Sequence, residues 1–403
     1  MLKVLKNKKI RNWCLFDFGI SSYPTLIITF IYGAFYAKEI ALTPEIGTSN
    51  WGYAISIGSV LSLLIFLIML IRGKKNQSIG IKFFKLAFYA LVFFVSSLYF
   101  FDQTSNEYFP LILVAFSLVS FEIMNLFYNF SLHNVAEKNR RGLISNIGWA
   151  TGYLGGLISL IIILVLLHFT KSNDYKIFGQ SIFLLLGPFV GIWTLVFGLR
   201  HLNNYRTKTF KINNLVTFFQ NMKIKKINSF LVSYFFFNNS VICIFAFASM
   251  ISSFLFGFTE TEILKLGIFI NLAGITGCLF LGKIEDDIGS QKIVIVCIIF
   301  LMLITSVLYF TYDKKVFWIL SLIIGFFIGP IQAASRSVIS KRLESKNQLS
   351  AFCVYSMFGN VCSILGPFFV SLVISTSSDI RQGLLVIPIF FALSLIFLLK
   401  PSA

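Results

Sequence analysis

The sequence predicts an all-α integral membrane protein, with twelve transmembrane helices in two six-helix halves related by a parallel repeat. Three observations carry this. Hydrophobic residues make up 57% of the 403 residues and charged residues only 12%, with a mean hydropathy of +0.84. Soluble domains are nearer one quarter charged, so a chain this apolar cannot cover its surface in water. Apolar runs recur twelve times, each long enough for a bilayer core, which takes about 20 helical residues. Finally, Lys and Arg are dense in alternate loops, and the longest polar stretch falls at the midpoint. Collagen, disulfide scaffolds, disordered chains and ordinary soluble enzymes are excluded by the same composition.

The runs lie near 12–36, 51–71, 83–101, 109–132, 143–169, 177–199, 228–256, 263–282, 293–311, 316–335, 348–374 and 382–399. Many are rich in Phe, Ile and Val, which favour strands, but their length decides for helix. Lys3, Lys6, Lys8, Lys9 and Arg11 resemble the basic start of a signal peptide. The apolar run behind them is too long, carries Asp17 and has eleven successors, so it is read as a retained first span.

Charge placement gives the orientation. All but seven of the 34 Lys and Arg residues fall at the N-terminus, in even-numbered loops or at Lys400. The seven are Lys38, Lys171, Lys176, Lys265, Lys314, Lys315 and Arg381. By the positive-inside rule both termini are expected in the cytoplasm. This placement also absorbs most of the formal charge of +18 and removes the motive for a nucleic-acid partner. Six spans, a basic linker and six more spans describe a transporter of two parallel halves. The expected organisation is 1–200, a linker at 201–226, and 227–403.

Small residues mark equivalent helices of the two halves. Ser145, Gly148, Gly152, Gly156 and Ser159 share one face of the fifth span, and Ser356, Gly359, Ser363 and Gly366 one face of the eleventh. Such stripes let backbones approach closely in lipid. Pro367 weakens the backbone bonding of the eleventh span.

Polar groups inside spans are the candidate functional residues, since a charge at the bilayer centre costs about 2.5–3.5 kcal/mol on insertion scales. Asp17 lies early in span one. Glu122, Asn125 and Asn129 form a stripe in span four, with Tyr128 adjacent. Asn238 and Asn239 lie in span seven, Asn271 in span eight, Gln332 in span ten and Asn360 in span eleven. Interhelical glue is one reading of each amide. The other is a polar cavity between the halves, with Glu122 or Asp17 able to take up a proton. The three histidines share no metal-ligand spacing with Cys, Asp or Glu, and the six cysteines lie in apolar runs without a CxxC pair. No P-loop is present. Neither a metal, a cofactor nor an enzymatic constellation is expected.

The loop after span eight reads Gly282-Lys-Ile-Glu-Asp286-Asp-Ile-Gly289-Ser-Gln-Lys292. It resembles the loop motif of the major facilitator superfamily: glycine, acid four residues on, glycine at seven and base at ten. The acid of such a turn can pair with bases or helix ends and latch one conformation. The first-half loop, Arg72-Gly73-Lys74-Lys75-Asn76, lacks the acid. Other segments are similar to the family of the autophagy-linked vacuolar effluxer. They are Trp13-Cys-Leu-Phe-Asp17-Phe-Gly-Ile-Ser21-Ser-Tyr23, then Phe127-Tyr128-Asn129 leading to Arg140-Arg141-Gly142, Ser145 and Gly148-Trp149-Ala150-Thr-Gly152-Tyr153-Leu-Gly155-Gly156. Gln332-Ala-Ala-Ser335-Arg336-Ser337 and Tyr355 through Gly359, Asn360, Ser363 and Gly366-Pro367 add a third group. The chain departs from that family at Ile20, His133-Asn134, Asn239 and Asn360, where Asn, Pro-Asp, an acid and Lys are usual.

The resemblance implies a secondary transporter working by alternating access, with a small solute of the amino-acid kind as its substrate and protons as a candidate coupling ion. Cavity candidates are Asp17, Ser21, Tyr23, Glu122, Asn125, Asn129, Trp149, Tyr153, Asn239, Gln332 and Asn360. Gate candidates are Arg141, Gly282, Asp286, Gly289, Lys292 and Arg336, and packing candidates are Gly148, Gly152, Gly156, Gly359, Gly366 and Pro367. A lipid translocator on the same fold and a non-transporting receptor or assembly protein are the rival functions. A monomer in a bacterial inner membrane is the expected setting.

Overall fold

The computed structural model describes residues 2–72, 80–102, 106–170, 176–177, 180–203, 228–343 and 345–399. Most of the expected linker, from 204 to 226, lies outside these residues, as do 73–76 of the first-half loop and Lys400. Among the described residues twelve helices are long and apolar enough to cross a membrane. They are α1 (Lys8–Ile40), α2 (Ile46–Ile71), α3 (Lys82–Phe100), α4 (Tyr108–Val135), α5 (Lys138–Thr170) and α6 (Ile182–Asn203). The second six are α7 (Asn228–Phe256), α8 (Thr261–Ile288), α9 (Ser290–Tyr309), α10 (Lys314–Arg342), α11 (Gln348–Ser377) and α12 (Ile380–Leu399). Every expected run falls on one of them. The sixth begins later than expected, because Lys176–Ile177 and Gln180–Ser181 form a two-residue antiparallel pairing instead. Helix α11 runs on through Pro367. Large apolar side chains such as Phe93, Phe254, Phe280 and Ile396 stay exposed, as a lipid-facing surface requires.

Helix α1 is not uniform. It is α-helical over Lys8–Ile20, then winds as π-helix over Tyr23–Phe30 and again over Tyr36–Ile40. Pro24 sits at the first widened turn. It has no N–H to give the preceding turn, and the Thr25 hydroxyl bonds the Ser21 carbonyl there at 2.8 Å. Single π turns are frequent near functional sites.

The chain divides into two compact units. One contains 1–65, 76–128 and 151–210; the other contains 66–75, 129–150 and 211–403. In the first unit α6 packs on α1 and α3; in the second α12 packs on α7 and α9. The same pairings thus recur six helices later, as a parallel repeat requires. The second unit adds contacts of α8 and α9 with α10.

Glycines set the closest contacts inside each unit. On α5, a Cβ at Gly155 would stand 2.0 Å from the Phe18 carbonyl oxygen of α1, and one at Gly156 2.5 Å from Thr25 Oγ1. The equivalent face of α11 meets α7, where a Cβ at Gly366 would stand 3.0 Å from Cys243 Sγ and 3.2 Å from the Asn239 carbonyl. Gly359 has more room, with Tyr234 Oη nearest at 3.6 Å. All six cysteines are buried and none forms a disulfide; they fill space as small apolar groups.

These contacts predict a ranking of stabilities. Gly155→Ala forces a methyl into backbone and is expected to cost about 1–3 kcal/mol. Gly52→Ala, with open space around it, is expected to gain about 0.4–1 kcal/mol. Thermal unfolding in detergent, followed by intrinsic fluorescence, checks both. Equal midpoints for the two variants would contradict the close approach of α5 to α1.

Candidate functional site

In the first unit a carboxylate is built into α1. Asp17 is partly exposed. Tyr128 Oη donates to its Oδ2 at 2.9 Å, and Ser21 Oγ, one turn on, donates to its Oδ1 at 3.3 Å. Gly152 of α5 leaves the room: a Cβ there would lie 2.9 Å from Ser21 Oγ and 3.0 Å from the Asp17 carboxyl. Tyr128 is fixed in turn by Trp13, whose ring stacks on it at 4.5 Å and whose Nε1 donates to the Tyr128 carbonyl at 3.2 Å. Phe16 and His201 close the aromatic wall behind it. Tyr23 is buried and pairs with Ser117 Oγ at 2.8 Å. Glu122, Asn125 and Tyr153 are partly exposed members of this unit. The structure therefore brings Asp17, Ser21, Tyr128 and Gly152 together and places Tyr23 on a separate buried contact.

In the second unit the remaining cavity candidates divide. Gln332 Nε2 donates to Asn238 Oδ1 at 3.2 Å. One turn away Ser335 Oγ and Tyr355 Oη are 3.0 Å apart, and Tyr355 stacks on Tyr234 at 3.9 Å. This cluster joins α7, α10 and α11. Asn239 and Asn360 stand apart from it: their amides turn back to the carbonyls of Phe235 and Ser356 on their own helices. Asn239 also bonds Cys362 Sγ at 3.1 Å. Trp149 is partly exposed.

The same unit holds a polar junction around the start of α5, whose α-helical turns begin at Arg141. Asp286 Oδ1 and Oδ2 accept from the backbone N–H groups of Gly142 and Leu143 at 2.8 and 2.9 Å. A carboxylate is favoured there by the orphan donors and dipole of a helix N-terminus. Lys341 pairs with Asp286 at 2.7 Å. Gly282 admits Asn146, since a Cβ there would lie 2.5 Å from the Asn146 Cβ. Gly289 ends α8 with φ of 105°, a conformation glycine adopts without steric cost. Arg141 donates to the Ser340 carbonyl, and to the Ala136 carbonyl at 3.3 Å. Arg336, 2% exposed, uses three nitrogens: Nε to Ser145 Oγ at 2.9 Å, Nη2 to the Ser145 carbonyl at 2.7 Å, and Nη1 to Asn129 Oδ1 at 3.1 Å. Lys292 is exposed, and Lys341 is the base at the junction. The loop motif marks none of Lys341, Asn146, Glu285 and Ser290: the first two come from other helices, and the last two are intervening positions of the loop that its pattern leaves open.

The fork on Arg336 is specific to a guanidinium, because the three N–H donors of a lysine share one nitrogen and cannot reproduce a planar fork of three separate nitrogens. Arg336→Lys is expected to lower stability by about 2 kcal/mol, read as a lower thermal midpoint. A wild-type midpoint would show that the three bonds contribute nothing net.

Comparison with known proteins places this arrangement in a family. A family profile described as "Vacuole effluxer Atg22 like" matches residues 128–401. The chain is 24% identical to an uncharacterised MFS-type transporter, YxiO of Bacillus subtilis (strain 168), over 97% of this chain and 94% of that protein. It is 23% identical to autophagy-related protein 22 of Pichia angusta over 59% of this chain, spanning 51% of that longer protein. Among solved structures it is similar to the major facilitator superfamily transporter FucP in the outward conformation, with a TM-score of 0.75, 10% identity and coverage of 96% of this chain and 97% of that one. The chain is thus a membrane protein of the major facilitator fold and belongs to the Atg22-like vacuole effluxer family.

Proposed function

We propose that this protein is a secondary transporter that moves a small solute across the membrane by alternating access, with its membrane-embedded site opening to one side of the bilayer at a time. The working organisation is two six-helix halves, 1–200 and 227–403, joined by 201–226. The observation that carries the reading is Asp17. A carboxylate is costly inside a span, yet here it is held by Tyr128 and Ser21 and stays partly exposed. It lies on the α-helical part of α1, Lys8–Ile20, that precedes the π-helical turns from Tyr23. Membership of a family of transporters supports the same reading.

The substrate class that best fits is an amino acid or a similar small metabolite, whose polar groups match the amide and hydroxyl groups of the Asn238–Gln332–Tyr355 cluster. Protons are the proposed coupling ion, carried by Asp17 or Glu122. The setting is a bacterial inner membrane with both termini cytoplasmic, and the chain acts as a monomer without a cofactor.

The test is uptake and counterflow in proteoliposomes across a labelled panel of amino acids, small peptides, sugars and organic acids, with and without an imposed pH gradient. Accumulation of one class under the gradient is the expected result. A silent panel with folded protein would turn the reading toward lipid translocation or a non-transport role. Asp17→Asn is expected to reduce gradient-driven accumulation by about tenfold or more while counterflow persists, because the neutral amide keeps the shape but cannot cycle a proton. Glu122→Gln is assayed in parallel. Wild-type dependence on the gradient in both variants would remove both carboxyls as proton carriers.

A further inference from the structure

The loop motif draws attention to Asp286, but its neighbour Glu285 is the more deeply buried acid, at 0% exposure. Its two oxygens face different elements. Oε2 accepts from Asn146 Nδ2, on the first turns of α5. Oε1 accepts from Ser290 Oγ at 2.6 Å, at the start of α9.

The direction of these bonds follows from the partners. Lys341 Nζ lies 2.8 Å from the same Ser290 Oγ. An ammonium group only donates, so the Ser290 hydroxyl accepts from Lys341 and turns its own hydrogen to Glu285. Asn146 Nδ2 also donates to the Gly142 carbonyl at 2.9 Å, which fixes the amide with its nitrogen toward both acceptors. In this arrangement both oxygens of Glu285 face donors, with the Ser337 hydroxyl of α10 and the charge of Lys341 also beside it.

The surroundings are shaped to two carboxyl groups together. A Cβ on Gly142 would stand 2.7 Å from Asp286 Oδ1 and 2.8 Å from both Cδ and Oε1 of Glu285. The absent side chain of Gly142 is thus the seat for both acids. Asp286 grips the backbone of the first turn of α5, and Glu285 grips the side chain of Asn146 one turn further along.

We propose that Glu285 is the positioning residue of this junction: an ionised carboxylate that ties the first turns of α5, through Asn146, to the start of α9, through Ser290, and so holds the oxygens of Asp286 against the N–H groups of Gly142 and Leu143. Its consequence for transport rests on the reading above, because a junction held by Asp286 alone would release more readily.

The experiment uses the full chain in lipid nanodiscs and needs no substrate, so a silent transport panel leaves its result standing. Hydrogen exchange is followed by mass spectrometry over 141–147, with 316–330 of α10 as reference. Glu285→Gln is expected to speed exchange over 141–147 by about tenfold and to leave the reference segment unchanged. The infrared difference spectrum between wild type and this variant is expected to lose an ionised carboxylate stretch. Unchanged exchange in the folded variant, or loss of a protonated-acid carbonyl band instead, would overturn the proposal. Asn146→Ala keeps the acid and guards against a variant that does not fold. It is expected to speed exchange over the same segment, and the double variant to add nothing beyond the larger single effect. Additive effects would mean that the two residues act separately, and would also overturn it.

Discussion

Hydrocarbon offers no hydrogen-bond partner, so every backbone group and every ionisable side chain within the spans must be satisfied by the protein itself. Apolar attraction between helices is also lost, because lipid tails are as apolar as leucine. What remains is close packing and a few directed bonds. The structure meets the first demand with glycine faces. Gly155 presses α5 onto the carbonyl of Phe18, and Gly277 of α8 faces the Phe326 carbonyl of α10 at a distance that admits no Cβ. It meets the second by gathering many of its buried polar groups into a few hydrogen-bonded clusters.

Those clusters differ in kind. Asp17 is held by neutral hydroxyl donors, from Tyr128 and Ser21, against an aromatic wall. The acids at 285 and 286 are held by a lysine, a helix N-terminus and an amide. The first arrangement leaves a partly exposed carboxylate held by two hydroxyls. The second spreads its charge over fixed groups and favours one geometry. The two sets lie in different compact units of the chain. Arg336 shows a third pattern, in which a single guanidinium binds a serine twice and an asparagine once, and so fixes the register of α10 against the residues from 129 to 145.

The spans were legible because length and apolarity report directly on lipid, and the six-helix repeat was legible because small residues recur on equivalent helices. The π-helical turns of α1 were not. Pro24 announces a missing donor, but the local pattern does not say whether the chain kinks or widens. Asn239 and Asn360 read as cavity residues from spacing alone, yet each amide turns to a carbonyl four residues back, a rotamer choice that periodicity does not encode. The loop motif pointed to Lys292 as its base; in the fold that position is exposed, and Lys341, on another helix, supplies the charge. Glu285 is hard to read from the sequence for a related reason. Asn146 lies 139 residues away in sequence, so nothing local marks the acid as anchored.

The connection between α8 and α9 carries a mechanical consequence. Only Gly289 stands between Ile288 and Ser290, and the bond from Ser290 to Glu285 crosses that turn. A hinge of one residue has no slack. Tilting either helix must pull on the other through a strut five residues long, so the pair transmits torque as a single bent lever. Lengthening the turn by even a residue would free the two arms from each other while leaving both helices intact.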